Sequence, residues 1–313
     1  MFLAQVKIVF YKMPVCAQSE VALVSSVAMT LRLLIILGAV AAALNAPSLD
    51  SHYVDNSDLP VSDRMAVFFT GLYKHEGNIT QRSLASVLEF VVKGYGGPVD
   101  IFVDMFPKPD GPTVEEVVQE LKELVPHSLK TVILQPSVRH ELGPLDSVEL
   151  SKEYGHDTAM ISQFSRLSRL YPEVLASEVL LRERYRYMAR VRSDTIFSRP
   201  WMSVTDLKTS SSLDSVIVQV WNADHIWLAG RNVAPQMFQT FPNLFYRPHL
   251  KAPIAAAVGT GMYDAVWGEF AIWPEAILSW WLQKGLQGAN VQQRCEVFGP
   301  FTIHGSHSEL THC

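Results

Sequence analysis

Residues 65–106 read MAVFFTGLYKHEGNITQRSLASVLEFVVKGYGGPVDIFVDMF. The stretch opens on an apolar run, MAVFFTG, that ends at Gly71, the pattern of a buried strand entering a turn. Between Gln81 and Lys93, Leu84, Val87, Leu88 and Val91 recur at helical spacing. Gly94 and the Gly96-Gly97-Pro98 cluster stop that helix. VDIFVDMF, residues 99–106, is then a second buried strand.

The alternation continues downstream. Val114–Leu124 reads as an amphipathic helix opened by Pro112-Thr113 and ended near Pro126, and TVILQP (131–136) as a third strand. Strand–helix–strand–helix–strand implies an α/β fold whose mostly parallel sheet is covered on both faces. Thr158–Arg186 is the longest helical stretch, and Pro172 is expected to split it. YRYMARVRSDTIF (185–197) reads as a strand ending in a polar tip, followed by strands in DSVIVQVW (214–221) and DHIWLAG (224–230). EFAIWPEAILSWWLQKGL (269–286) predicts a helix starting near Pro274. VQQRCEVFGPFTIHG (291–305) reads as edge strand and tail. No internal repeat recurs.

Upstream, VALVSSVAMTLRLLIILGAVAAAL (21–44) sets the expected compartment. Its uninterrupted apolar part is shorter than the ~20 residues a bilayer span takes, and the longer reading includes Arg32. It reads as a signal anchor or as the core of a signal peptide, with a buried helix as the bland alternative. Residues 1–20 would then be a short cytosolic tail and 45–64 a polar stem. Residues 65–313 would be one luminal domain, in the Golgi or endoplasmic reticulum, or secreted if the leader is cleaved. Roughly 250 residues remain beyond the leader, enough for one large α/β domain. Asn78-Ile79-Thr80 is the single glycosylation triplet. The net charge of -5 carries no basic excess, which argues against a nucleic-acid partner. The three cysteines form no CxxC pair. Cys295 and Cys313 are either a luminal disulfide or two thiols.

Ligands of open α/β sheets bind at the carboxyl ends of the strands, and three such ends carry suitable groups. After the first strand, Gly71 permits close backbone approach, and Lys74 would meet a phosphate or stand solvated in a turn. Asp104 closes the second, as a ligand or as a turn acid. Arg190, Arg192 and Asp194 fall on one side of their strand by alternation. They would pair among themselves or with Glu183. Otherwise the arginines would hold a diphosphate and Asp194 a divalent cation, Mn2+ or Mg2+. Among the tail histidines, His304, His307 or His312 would supply a metal ligand or be incidental. Trp267, Trp273, Trp280 and Trp281 would stack on a sugar or pack in the core.

The order AVFFTG, DIFVDMF, QFSRL, YRYMARVRSDTIF, NADHIWLAGR and WPEAILSWWL resembles a group of GT-A-like glycosyltransferases. That group includes the WavE-type lipopolysaccharide-synthesis proteins and related domains. The likeness runs from about Met65 to Leu286 and is most specific in YRYMARVRSDTIF. It implies a GT-A-like, Rossmann-like sheet, a nucleotide-sugar donor bound above it, and a glycan, protein or lipid acceptor. By that analogy Asp194 stands where such enzymes hold their metal. Arg190 and Arg192 lie beside it, and Asp224 faces sugar or acceptor as base. Glu269 and Glu275 are further acids. The sequence departs from the pattern in having no paired-aspartate DxD motif, since the position reads Arg-Ser-Asp. An inactive carbohydrate- or nucleotide-binding relative, or a nucleotide-binding α/β protein of other chemistry, are the alternatives.

Overall fold

A computed structural model describes residues 7–9, 56–107, 111–125, 127–134, 158–219, 224–244, 278–279 and 281–303. The expected anchor, most of the stem, Glu269, Glu275, the three tail histidines, Trp267, Trp273, Trp280 and Cys313 lie outside the described residues. No helix among the described residues is long and apolar enough to cross a membrane.

The strands are β1 (Lys7–Val9), β2 (Met65–Tyr73), β3 (Val99–Pro107), β4 (Leu129–Leu134), β5 (Tyr187–Arg192), β6 (Thr195–Phe197), β7 (Ser215–Val218), β8 (Ile226–Gly230), β9 (Asn290–Gln293) and β10 (Phe301–Ile303). Eight of them form one sheet in the order β1-β4-β3-β2-β5-β8-β7-β9, while β6 and β10 pair separately. Every contact in the large sheet is parallel except those of β8, which runs antiparallel to both neighbours. The sheet is therefore mostly parallel and mixed, as the alternating pattern predicts.

Side chains alternate across the strands and fill two cores. Met65, Val67 and Phe69 of β2 join one, with Leu84 and Val87 of helix α1 (Ile79–Ser86 and the turns that extend it) and Val117 and Leu121 of α2 (Val114–Leu124). Ala66 and Phe68 join the other, with Phe164, Leu167, Leu170 and Val174 of α3 (Thr158–Leu181). Helices thus cover both faces. Thr113 caps α2 by accepting from the Glu116 N–H at 3.2 Å, and Glu116 reciprocates on the Thr113 N–H.

Three local expectations change. Pro172 does not split α3, which runs unbroken through it. The face carrying Leu167, Leu170, Tyr171 and Val174 is buried along its length, and that burial outweighs one lost backbone bond. The segment 185–197 is not one strand. It turns at Ser193-Asp194, and β6 leaves for the second sheet, pairing with β10. After Ser86 the helix widens into a π-turn, Val87–Val92, before a last turn, Lys93–Tyr95. The Phe90 carbonyl there accepts from Trp201 N at 2.9 Å, outside the helix.

Candidate functional site

Gly71 determines where the site begins. Its φ is +147°, a backbone conformation that a side chain disfavours. A Cβ at this position would also collide with the Ser193 hydroxyl. Ser193 donates from its N–H to the Thr70 carbonyl at 2.9 Å and from its hydroxyl to the Leu72 carbonyl at 2.8 Å. The turn that leaves β5 is thereby stapled to β2 on both sides of the glycine, and Asp194 is delivered to the carboxyl edge of the sheet.

Lys74 meets it there. Its N–H donates to Thr80 Oγ1 at 2.9 Å, which ties the residue to the start of α1, and its Nζ lies 2.9 Å from Asp194 Oδ2. Arg192 holds the same carboxylate as a fork, Nε to Oδ1 at 3.0 Å and Nη2 to Oδ2 at 2.9 Å. Its remaining nitrogen, Nη1, reaches Asp224 Oδ1 at 3.4 Å. Arg190 Nη2 stands 3.7 Å from Asp224 Oδ2. Lys74, Asp194, Arg192, Asp224 and Arg190 thus form one row of alternating charge. Because β8 is reversed, its beginning lies at this edge, and so Asp224 and His225 belong to the row.

Depth differs along the row. Arg190 and Asp224 are fully buried, and the Arg190 guanidinium stacks 4.6 Å from the ring centres of both Phe164 and Trp227. At the other end the side chains of Arg192 and Lys74 remain 21% and 27% exposed, whereas that of Asp194 is 6% exposed. The exposed faces of the site are therefore cationic, with the acid behind them. Burial alone would raise the Asp194 carboxyl, but Arg192 and Lys74 outweigh it by charge and hydrogen bonding. They hold it well below the usual carboxylate range. His225 Nδ1 lies 3.3 Å from Asp224 Oδ1. Burial pushes the imidazole down to about 4 despite Asp224, and it is neutral at physiological pH.

Asp104 stands next to the row rather than in it. In register, Thr70 faces Asp104 on one side and Arg192 on the other. Both Asp104 oxygens are taken from α3. Oδ1 accepts from Arg166 Nη1 at 2.6 Å and Arg169 Nη2 at 3.1 Å, and Oδ2 from Arg169 Nε at 3.0 Å. Of the residues named from the sequence, Gly71, Lys74, Asp104, Arg190, Arg192, Asp194 and Asp224 thus lie at one sheet edge, whereas Glu183 pairs with Arg64 instead. Five share one ion-pair row, Gly71 makes room for the turn, and Asp104 anchors α3 alongside. Reading strand ends alone overlooked Arg166, Arg169 and His225. Arg166 and Arg169 are three residues apart and interleave with the buried Phe164, Leu167 and Leu170, so cations on an apolar helix face were the available signal. His225 carried none beyond adjacency to Asp224.

Comparison with solved structures finds two glycosyltransferases at low similarity. Mouse xyloside xylosyltransferase 1 in its apo form matches with a TM-score of 0.38 and 10% identity, covering 74% of this chain and 85% of that one. The mannosyltransferase Ktr4p from S. cerevisiae matches with a TM-score of 0.29 and 12% identity, covering 51% of this chain and 40% of that one. No protein-family model matches the sequence. A search of curated proteins gives no match.

A divalent cation fits the described residues poorly. Both oxygens of Asp194 are already engaged, by two cationic side chains, and Asp224 is buried among Arg190, Arg192 and His225. Among the described residues no three His, Cys, Asp or Glu side chains converge as a metal cage requires.

Proposed function

We propose that this protein is a glycosyltransferase that moves a sugar from a nucleotide-sugar donor to a glycan, protein or lipid hydroxyl. One observation carries the reading: the row from Lys74 to Arg190 gathers at the carboxyl edge of a mostly parallel sheet, with Lys74 and Arg192 outermost. That edge is where open α/β sheets bind ligands, and arginine and lysine suit phosphate oxygens. The sequence resemblance to GT-A-like glycosyltransferases, most specific in YRYMARVRSDTIF (185–197), points the same way.

In the transfer, the bond between the anomeric carbon and the diphosphate oxygen breaks, and its electron pair stays on the diphosphate. The acceptor hydroxyl oxygen bonds to that carbon, and its proton passes to a base. Lys74 and Arg192 would stabilise the charge that grows on the departing diphosphate. Asp224, the second carboxylate of the row, would take the proton, with the partly exposed His225 imidazole 3.3 Å beside it. We further place the domain in the secretory lumen, on the strength of the apolar stretch 21–44.

A panel of UDP-, GDP- and CMP-sugars tests the reading by thermal shift and donor hydrolysis. One donor is expected to stabilise the protein and be slowly hydrolysed, with hydrolysis lost in Asp194→Ala. Stabilisation without turnover would move the protein to the inactive, ligand-binding reading. No stabilisation by any donor would sink both. Protease protection of the domain in intact microsomes checks the compartment, and digestion without detergent would reject it.

A further inference from the structure

Resting on the nucleotide-sugar reading, we infer that this site grips the donor diphosphate with Lys74 and Arg192 and works without a divalent cation. The resemblance to GT-A-like enzymes implies a cation at Asp194, but the geometry assigns that carboxylate a different task. Asp194 receives three charge-assisted hydrogen bonds, one from Lys74 and two from Arg192. To coordinate a metal it would have to release bonds from both. The cost falls on a side chain that is 6% exposed, where lost pairings are least repaid by water. The second carboxylate of the row, Asp224, is fully buried and faces Arg190, Arg192 and His225.

What the edge offers instead is a pair of fixed unit charges. The Lys74 ammonium and the Arg192 guanidinium flank one carboxylate, and both keep exposed surface. Together they carry the charge of one divalent ion. Their positions are set by backbone, not by chance: the Lys74 N–H is tied to Thr80, and Arg192 N donates to the His225 carbonyl at 3.1 Å. A planar fork and a point charge side by side match the oxygens of a diphosphate. Asp194 is then a positioning residue. It aims the two cations and sits behind the ligand.

Calorimetry on the full chain tests this with UDP, GDP and inorganic pyrophosphate as probes, each in EDTA and in excess Mn2+ or Mg2+. Affinity is expected to be the same with and without metal. It should fall at least about tenfold in Lys74→Met and be largely kept in Lys74→Arg. A melting curve of each variant, run alongside, separates lost binding from lost fold. Binding of UDP or GDP that appears only with metal overturns the inference and leaves the donor reading standing. Unchanged affinity in Lys74→Met overturns it as well. Metal-free binding of pyrophosphate with no response to any nucleotide sugar keeps the grip and rejects the donor. No binding of any probe rejects both.

Discussion

Asp100 and Asp104 lie on the same face of β3, at opposite edges of the sheet, and each anchors a cluster of cations. At the amino edge, Asp100 Oδ2 accepts from Arg64 Nη1 at 3.0 Å and from the Tyr185 hydroxyl at 2.8 Å, with Lys130 Nζ 3.4 Å from Oδ1. Tyr185 N–H and Arg231 are held by Glu178, and Arg64 by Glu183. Neutral hydroxyls complete this cluster, and the incoming chain roofs it. Arg184 N donates to the Pro60 carbonyl, Ser62 N to the Arg184 carbonyl, and the Arg184 side chain to the Leu59 carbonyl. At the carboxyl edge the row from Lys74 to Arg190 is made of charges and is bordered by turns. A hydroxyl bonded to carboxylate and covered by backbone is a fixed closure. A row of ion pairs with exposed cations can exchange a carboxylate oxygen for a phosphate oxygen. One sheet thus uses the same residue types twice, as a lock at one edge and as a grip at the other. Even β8 takes part in both, entering at Asp224 and leaving at Arg231.

Breaking the lock should cost the most. Asp100→Ala leaves Arg64 and the Tyr185 hydroxyl without their shared acceptor in a nearly buried setting, and stability is expected to fall by about 3–5 kcal/mol in chemical denaturation. Nucleoside-diphosphate affinity of the folded fraction should not change. A loss of affinity larger than the loss of fold would erase the distinction between the two edges.

Acid separates the edges next. His225 belongs to the grip, and among the described residues no histidine contributes to the Asp100 cluster. Its folded-state pKa, depressed to about 4 from 6.5, means that the unfolded chain takes up a proton that the folded chain refuses. The contribution is complete above pH 6.5 and is lost as pH falls towards about 4, amounting to on the order of 3 kcal/mol. Stability measured across that window should slope in the parent chain and flatten in His225→Gln. A slope that persists in the variant would assign it elsewhere.

Lys74→Met, on a partly exposed side chain, should change stability by less than about 1 kcal/mol while weakening diphosphate binding about tenfold. Equal effects on both would make Lys74 a second lock. Thr113→Ala, outside both ion-pair clusters, removes the α2 cap and should cost about 1 kcal/mol with donor affinity unchanged.

Much of this could be read from residue order. The apolar runs at Met65, Val99 and Thr131 announced themselves as buried parallel strands, although the third begins at Leu129, and Pro112-Thr113 announced α2. Arg190, Arg192 and Asp194, expected on one side of a strand by alternation, lie near one another, but the strand ends at Arg192 and the turn at Ser193 brings Asp194 in. What stayed hidden depends on partners far along the chain. Pro172 survives inside α3 because tertiary burial outweighs a local penalty. β6 leaves the sheet because Ser193 is captured by the Thr70 and Leu72 carbonyls, 123 and 121 residues earlier. Asp104 looked like a free strand-end acid because nothing nearby in sequence showed that Arg166 and Arg169 would cover it. Arg190 reads from the sequence as an ion-pair partner or a diphosphate ligand, and the structure pairs it with Asp224 between Phe164 and Trp227.

The central place of β2 has a consequence for biosynthesis. It bonds to β3 on one side and to β5 on the other, pairing Met65 with Val99 and with Tyr187. A ribosome adding roughly 5–20 residues per second needs about 6–24 seconds to travel from Met65 to Tyr187. Throughout that interval the nascent MAVFFT strand has an unsatisfied hydrogen-bonding edge, the kind of template that invites intermolecular pairing. Yield of soluble protein should therefore depend on chaperone supply and on translation speed between codons 74 and 187, with no change in the sequence that folds.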